Sequence, residues 1–269
     1  MGLWEYKKTF YTYRHDSENF SGGHQTVTLT LWASDKSGES PRYTYLIEVY
    51  EDPSLEQLTW VTGEEGVTIS NCSDAATNIV IPDTIEGKPV TNIATNAFYG
   101  CQRLKSLHMP DTVRTIGRSA FSGCDQLQTL NLPAALTQLG DEAFYNCAAL
   151  EELHIPAGLE DISSTMFGHC AKLRFTVDPG NSVYTAKDGS VYTRDMKTLV
   201  RAGWQENGEF IIPNSVETVG NGAFYTALLD RVVFGKNVRT IGESAFAFCT
   251  AEEYQFNDGL ERIGEYAFR

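Results

Sequence analysis

The sequence predicts a repeat solenoid: coils of chain stacked into a right-handed spiral with a parallel β-sheet and short helical turns, preceded by a small antiparallel β module. Three observations support this fold class. An Ala-Phe pair returns at a nearly constant spacing, a proline-closed alternating motif accompanies it, and residues 1–54 contain neither. The 269-residue chain therefore divides into a β-rich module, residues 1–54, and a solenoid, residues 55–269.

The first 54 residues contain three β-rich runs, KKTFYTYRH, TVTLTLWAS and RYTYLIEVYED, separated by polar loops. They resemble the closing strands of a bacterial immunoglobulin-like or cadherin-like sandwich. Three strands without a facing sheet are only marginally stable. The module is therefore either a truncated sandwich or a sheet packed onto the first coil, and EDPSLEQ is the predicted linker.

The repeat is defined by its phenylalanine. The spacing is 23 residues at first and 22 later, with Phe at positions 98, 121, 144, 167, 224, 246 and 268. The 57-residue gap between Phe167 and Phe224 equals one 23-residue unit plus 34 inserted residues.

Each unit contains three segments. The L-x-I-P segment alternates apolar and polar residues, which predicts a strand with one buried face that ends at proline. The V-x-x-I-G segment predicts a corner, with its glycine expected at positive φ. The A-F-x-x-C-x-x-L segment predicts one or two helical turns. One such unit cannot bury its own apolar side, but seven stacked coils, about 4.8 Å apart, bury a continuous core in an arm of roughly 35 Å.

The combined pattern, I-P-x-x-V-x-x-I-G-x-x-A-F-x-x-C-x-x-L, resembles the BspA-like (Treponema pallidum type) leucine-rich repeats, over roughly residues 58–269. The resemblance implies a leucine-rich-repeat solenoid in a bacterial or protist protein that is secreted or on the cell surface. Several members of that family act as adhesins for host matrix proteins.

The insertion, near residues 174–209, contains Asp188-Gly189 between two Val-Tyr-Thr runs, which is a strong hairpin signal. A second turn is predicted at residues 195–197. The hairpin either stays within the stack or protrudes as a binding loop, and the resemblance favours the first alternative.

Composition excludes several classes of function. The 35 acidic residues against 21 Lys and Arg give a formal charge of −14, which would repel nucleic acid and anionic lipid. No run approaches the ~20 apolar residues of a membrane span. The first residues lack the apolar core of a signal peptide, which predicts either a cytosolic protein or a piece of a longer secreted one. The last residues stop inside a repeat, leaving Leu260, Ile263 and Phe268 without a cap, so we expect a fragment of a longer protein.

The cysteines and histidines do not indicate chemistry. Five of the six cysteines (101, 124, 147, 170 and 249) follow the repeat Phe by three residues, and Ala227 replaces the cysteine in one copy. Stacked coils place them in a column of buried, unreactive thiols; Cys72 lies outside this pattern. His108 and His154 are two coils apart, too far to share a metal ion. We predict no catalytic residues, no metal and no cofactor.

The best candidate for function is the outward face of the parallel strands, which we call the strand strip. It comprises Ser106, His108, Thr129, Asn131, Glu152, His154, Glu209, Ile211, Arg231, Val233, Glu253 and Gln255. The predicted ligand-binding residues are Ser106, His108, Thr129, Asn131, Glu152, His154, Arg231 and Gln255. Repeat proteins bind partners on such extended surfaces. The alternative is a merely solvated sheet face.

Three functions are consistent with the sequence. The first is a non-catalytic surface module for adhesion to, or recognition of, an extracellular protein or glycan of a host or neighbouring cell. The second is a structural spacer arm of a larger surface protein. The third is an accessory repeat region of a multidomain enzyme.

Overall fold

The computed structural model describes residues 55–269 and, within residues 1–54, the backbone of four strands. The chain divides between Pro53 and Ser54 into two compact units. In the first unit the strands are β1 (Gln25–Leu31), β2 (Ser34–Asp35), β3 (Gly38–Glu39) and β4 (Tyr43–Val49).

Strands β1 and β4 pair antiparallel along their whole length, from Gln25 opposite Val49 to Leu31 opposite Tyr43. They correspond to the second and third predicted β-rich runs. The short strands β2 and β3 pair with each other between them. The first predicted run, KKTFYTYRH, lies outside the described residues, so the sandwich stays a prediction.

The second unit is a solenoid built almost entirely of short strands, with two 3-10 helices, Leu55–Gln57 and Ser164–Phe167, among the described residues. Its strands are β5 (Leu58–Thr62), β6 (Val67–Cys72), β7 (Asn78–Val80), β8 (Thr84–Ile85), β9 (Lys88–Ile93), β10 (Ser106–His108), β11 (Thr115–Ile116), β12 (Thr129–Leu130), β13 (Gln138–Leu139), β14 (Glu152–Ile155), β15 (Arg174–Val177), β16 (Tyr184–Lys187), β17 (Ser190–Thr193), β18 (Thr198–Arg201), β19 (Glu209–Ile211), β20 (Thr218–Val219), β21 (Arg231–Val233), β22 (Thr240–Ile241), β23 (Glu253–Gln255) and β24 (Arg262–Ile263).

The L-x-I-P segments form the first sheet, which consists of three parallel ladders: β7-β10-β12, β14-β15 and β19-β21-β23. The V-x-x-I segments form the second sheet, with β9-β11-β13 at one end and β18-β20-β22-β24 at the other. Within each ladder a strand pairs with its equivalent in the next coil; Ile116, for example, lies opposite Ile93 on one side and Leu139 on the other. This pairing confirms the predicted parallel solenoid.

The repeat phenylalanines stack through the core. The ring centroids of Phe98 and Phe121 are 5.0 Å apart, and those of Phe121 and Phe144 are 5.2 Å apart. These side chains are fully buried. Burial of each contributes about 1.5–3 kcal/mol, and the stacked aromatic pairs add to it. Each of these repeat phenylalanines in the sequence therefore supplies one ring of this stack, one ring per coil.

Of the predicted helical turns, the one at Phe167 forms the 3-10 helix Ser164–Phe167. Around most of the repeat phenylalanines the chain makes single turns closed by bonds to the third residue back, such as Cys101 N–H to the Phe98 carbonyl at 3.2 Å. The turns cannot extend, because residues two before and two after the Phe adopt positive φ; Glu142 (57°) and Asn146 (59°) flank Phe144 in this way.

The glycine of the V-x-x-I-G segment was expected at positive φ, and this expectation is wrong. Gly117 and Gly140 are not among the positive-φ residues. A Cβ on Gly140 would lie 2.6 Å from the Gly117 carbonyl carbon and 2.7 Å from Arg118 Cα of the preceding coil. Glycine is required here because neighbouring coils approach too closely for any side chain.

The insertion stays within the stack. Strand β15 pairs in parallel with β14, so the extra chain begins after Val177 and not at residue 174. Strands β16 and β17 form the predicted hairpin, with Asp188 and Gly189 at φ 51° and 78°. Strand β18 then pairs antiparallel with β17 and parallel with β20, which returns the chain to the second sheet.

The hydrophobic core is divided within this insertion, along β17. One cluster of buried residues extends from Leu58 to Val191, and a second extends from Tyr192 to Ala267. At the far end, Ile263 and Phe268 are exposed and Leu260 is half-buried. No helix in the described part of the chain is long and apolar enough to cross a bilayer.

Candidate interaction surface

The strand strip follows from strict alternation in the first sheet. In β14, Leu153 and Ile155 are buried and Glu152 and His154 are exposed, as the sequence predicts. The same alternation buries Leu107 in β10 and exposes His108. The strip is carried by three separate ladders, and we group the first two of them as one part and the third as another. The N-terminal part spans β7 to β15, and the C-terminal part spans β19 to β23.

The N-terminal part carries polar groups with few internal partners. Ser106 Oγ donates to Asn78 Oδ1 at 2.7 Å, and both residues face solvent at least in part. His154 Nδ1 lies 2.9 Å from Thr176 Oγ1, and His154 Nε2 lies 3.9 Å from the Asp178 carboxylate. These contacts align the side chains along the ladder while leaving His154 exposed.

Asn131 has a structural role that the sequence did not predict. Its amide oxygen accepts the Met109 N–H at 3.0 Å, and its amide nitrogen donates to the Met109 carbonyl at 2.9 Å. The side chain thus continues the backbone ladder just beyond Leu130, where β12 ends. Because both ends of the amide are used, Asn131 has less capacity for a ligand than its position in the sequence implies.

The C-terminal part is organised around Arg231. Its guanidinium lies 3.3 Å from the Glu209 carboxylate on one side and 3.2 Å from the Glu253 carboxylate on the other, and it donates to Gln255 Oε1 at 2.6 Å. The predicted ligand-binding residues Arg231 and Gln255 are therefore joined to each other. Beside them Ile211 is 63% exposed, so this part combines an internally paired charge network with an apolar residue.

Sequence reasoning missed Arg174 and Thr176, since the insertion was placed over β15. Both are exposed and extend the N-terminal part, with Arg174 opposite Glu152 and Thr176 opposite His154. Asn78 was also missed at the other end. The alternation in L-R-F-T-V, which repeats the pattern of the earlier strands, is the signal that could have identified β15.

The cysteines form the predicted column. The thiols of Cys124, Cys147 and Cys170 donate to the carbonyl of the Phe one coil earlier, for example Cys124 Sγ to Phe98 O at 3.1 Å. Burial raises the pKa of Cys124 to about 12, so its thiol stays protonated at neutral pH. Cys72, which the repeat did not explain, lies at the end of β6 beside Cys101. The neighbouring Cys101 thiol and burial both raise the pKa of Cys72. Cys249 differs from the rest in being only half-buried.

No group of three potential metal ligands occurs among the described residues. Histidines 108, 154 and 169 are exposed. His169 packs edge-on against Tyr145, with ring centroids 5.0 Å apart. These positions fit the prediction of solvated histidines.

Comparison with known proteins gives a consistent result. A model of the BspA type leucine rich repeat region matches in six copies, over residues 69–193 and 205–269. The pneumococcal vaccine antigen PcpA shares the fold at 17% identity and a TM-score of 0.54, with 77% of this chain and 78% of that one covered. A leucine-rich repeat protein from Eubacterium ventriosum is similar at 20% identity and a TM-score of 0.54, covering 79% and 67%.

A Treponema pallidum leucine-rich repeat protein aligns at 25% identity and a TM-score of 0.49, covering 78% of this chain and 84% of its own. No curated protein matches the sequence. The repeat match leaves out residues 194–204, so this stretch of the insertion is not part of the recognised repeat.

Proposed function

Because the chain belongs to the BspA-type leucine-rich repeat family, we propose that it is a non-catalytic interaction module that holds an extracellular protein or glycan against the N-terminal part of the strand strip. We place it at the bacterial cell surface or in a secreted protein, as the family resemblance implies. Adhesion to a host or neighbouring cell is the corresponding biological role.

The observation that carries this proposal is the exposed, aligned row of polar side chains on β7 to β15. Parallel pairing fixes their register, with Ser106 opposite Thr129 and Glu152 opposite Arg174. The buried leucines beneath hold the strands in place. A surface that is already ordered loses little conformational entropy on binding, so modest contacts yield useful affinity.

The N-terminal part is a better candidate than the C-terminal part for an electrostatic reason. Arg231 already interacts with Glu209, Glu253 and Gln255, so a ligand there would have to displace internal partners. Glu152 and His154 are both exposed, and Glu152 has Arg174 beside it in the next strand. Adjacent acidic, basic and imidazole groups suit a partner with mixed polarity.

The test is biolayer interferometry of the full chain against immobilised fibronectin, fibrinogen, laminin and mucin at physiological salt. We expect saturable binding to at least one of them that is weakened about tenfold or more by Glu152→Ala with His154→Ala. The matched control is Gln138→Ala, an exposed substitution on the second sheet, which should leave binding unchanged.

Equal loss in the control would contradict a site on the strand strip. No binding by the folded protein to any of these partners would favour the spacer arm, in which the same sheet serves only as a rigid support. The internal pairing of Arg231 is the observation that keeps this second function under consideration.

A further inference from the structure

A row of tyrosines runs along the turn face, the edge of the solenoid where each coil turns around its repeat phenylalanine. The residue that directly follows this phenylalanine occupies the same place in every coil, and we call these residues the turn row. Over the first six repeat phenylalanines, tyrosine alternates strictly with a small residue: Tyr99, Ser122, Tyr145, Gly168, Tyr225 and Ala247. The apolar repeat pattern does not account for a tyrosine in every second coil.

Backbone hydrogen bonds fix the spacing of the turn row. The Gly100 N–H donates to the Ser122 carbonyl at 2.8 Å, and the Gly123 N–H donates to the Tyr145 carbonyl at 2.8 Å. The next two junctions between coils lie at the same place; in the second, across the insertion, the acceptor is the Thr226 hydroxyl at 2.7 Å. Coils that are hydrogen-bonded in this way lie about 4.8 Å apart, so successive tyrosines of the row start from backbone positions roughly 9.6 Å apart.

The small residues make room for the rings. A Cβ added to Gly168 would lie 2.8 Å from Cδ2 of Tyr145 and 3.0 Å from Cε1 of Tyr225. The Tyr145 and Tyr225 hydroxyls are hydrogen-bonded to each other, so these two rings meet over the glycine. Ser122 is 8% exposed, whereas Tyr99 is 62% exposed. The rings therefore form the outer surface of the row, and the small residues between them are covered.

Two further aromatic rings pack against the half-buried tyrosines. His169 lies edge-on to Tyr145, with ring centroids 5.0 Å apart, and Phe248 lies edge-on to Tyr225 at 5.8 Å. Phe248 is itself 62% exposed. The turn face therefore presents aromatic surface to solvent over several coils.

The row carries almost no charge. At the two positions that follow each repeat phenylalanine the sequence has no Asp, Glu, Lys or Arg before Arg269, although the whole chain has a formal charge of −14. The Glu142 carboxylate, three residues before Tyr145, is already paired with Arg118 at 3.2 Å. A charged ligand would find no counter-charge on the row, so the row suits a neutral one.

We propose that the turn row binds an extended, uncharged glycan of β-1,4-linked glucose or N-acetylglucosamine, with Tyr99, Tyr145 and Tyr225 stacking against every second sugar. One face of a pyranose ring is made of C–H groups and its rim carries hydroxyls, so it matches a flat ring that ends in a hydroxyl. Tyrosine supplies such a surface at a small cost in conformational entropy. This surface is separate from the strand strip and does not depend on what the strip binds.

The spacing of the row selects the linkage. In a β-1,4-linked chain of these sugars each unit is turned by half a revolution from the one before it, so every second sugar presents the same face. One sugar is about as long as one coil spacing, so the two-sugar repeat matches the two-coil period of the tyrosines. An α-1,4-linked chain curves into a helix and does not keep this register. The row from Tyr99 to Tyr225 covers four coil spacings, roughly 19 Å, which is the length of about four to five sugars.

The test is isothermal titration calorimetry of the full chain with cellohexaose and with the β-1,4-linked hexamer of N-acetylglucosamine. Maltohexaose, the α-1,4-linked isomer of cellohexaose, and the two corresponding β-1,4 disaccharides, which reach a single tyrosine, are titrated in parallel. We expect saturable binding of at least one β-1,4 hexamer, and at least about tenfold weaker binding of maltohexaose and of the disaccharides. The hexamer that binds more tightly identifies the sugar. No binding of either hexamer to the folded protein, or equal binding of maltohexaose or of a disaccharide, would overturn the proposal.

Tyr99 supplies the sharpest variants, because its ring is exposed and its replacement should not impair folding. Tyr99→Ala should weaken binding of the hexamer at least about tenfold, whereas Tyr99→Phe, which keeps the ring, should stay within about threefold. The matched control, Gln138→Ala on the second sheet, should leave binding unchanged. Binding that survives Tyr99→Ala, or that Tyr99→Phe weakens as much as Tyr99→Ala does, would overturn the proposal without bearing on the strand strip.

Discussion

Replacement of Gly140 by alanine tests how closely the coils are packed. The added Cβ would lie 2.6–2.7 Å from backbone carbon atoms of Gly117 and Arg118, where carbon atoms prefer about 3.5–4.0 Å. Backbone atoms cannot rotate away as a side chain does, so two coils must separate. Overpacking costs typically about 1–3 kcal/mol, and we expect the upper end, about 3 kcal/mol.

The matched control is Gly100→Ala. Gly100 has a φ of 71°, and no other atom lies within 4 Å of the place that an added Cβ would take, so only the left-handed conformation opposes the change. That conformation costs about 1–2 kcal/mol, partly offset by the lower entropy of the unfolded alanine chain. A second control, Gly100→Asn, should be milder still, because Asn146 occupies the equivalent position at φ 59°.

The assay is urea denaturation followed by circular dichroism, with midpoints compared under identical conditions. We expect Gly140→Ala to be less stable than Gly100→Ala by about 2 kcal/mol, which corresponds to several degrees in Tm. If Gly140→Ala costs no more than Gly100→Ala, the close approach of the coils is not what requires glycine, and our reasoning fails.

Three further predictions concern the core, the charge network and the thiol column. Phe121→Ala removes a fully buried ring and should cost about 3–5 kcal/mol in urea denaturation, whereas Phe248→Ala, at a 62% exposed position, should cost far less; similar costs would contradict the stacked core. Arg231→Ala should cost only about 0.5–1 kcal/mol, and the cost should shrink in molar NaCl, because its ion pairs are partly exposed; an unchanged cost in high salt would argue against an electrostatic origin. Burial raises the pKa of Cys124 to about 12 in the folded state, while its thiol in the unfolded chain ionises near pH 9. The contribution of this thiol to stability is therefore present below pH 9 and is lost as the pH rises from 9 toward 12. Cys124→Ala should flatten that part of a profile of stability against pH.

Much of the fold was predictable because most residue types in the repeat have a single structural role. Leu153 and Ile155 alternate with Glu152 and His154, and only a one-sided strand satisfies that pattern. The buried Phe144 marks the core of its coil in the same way. The outward residues of β14 were therefore predictable, whereas Arg174, Thr176 and Asn78 on the same face were missed.

The features that the sequence did not predict occur where a residue type has more than one physical use. Glycine is used both where the backbone adopts positive φ and where two backbones approach closely. The sequence does not show that Gly100 is the first case and Gly140 the second. Asn131 can face a ligand or extend a ladder, and its partner Met109 becomes apparent only when adjacent coils are aligned. Arg201 lies in a stretch without repeat character, so nothing in its neighbourhood predicts that it is buried. Side-chain partners in the next coil are 22 or 23 residues away, beyond any local pattern.

The division of the core between Val191 and Tyr192 has a consequence for cooperativity. In a solenoid each coil is stabilised by its neighbours, so the whole array unfolds together only if every interface is strong. Here the stack of rings from Phe98 to Phe167 is not continued to Phe224, and the buried Arg201 instead donates to the Phe167 and Gly222 carbonyls. Amide hydrogen exchange should then resolve two groups of protected amides, with the coils after the insertion opening while the earlier ones remain closed. The strands β7 to β15, which carry the proposed binding surface, can thus stay folded when the later coils have unfolded.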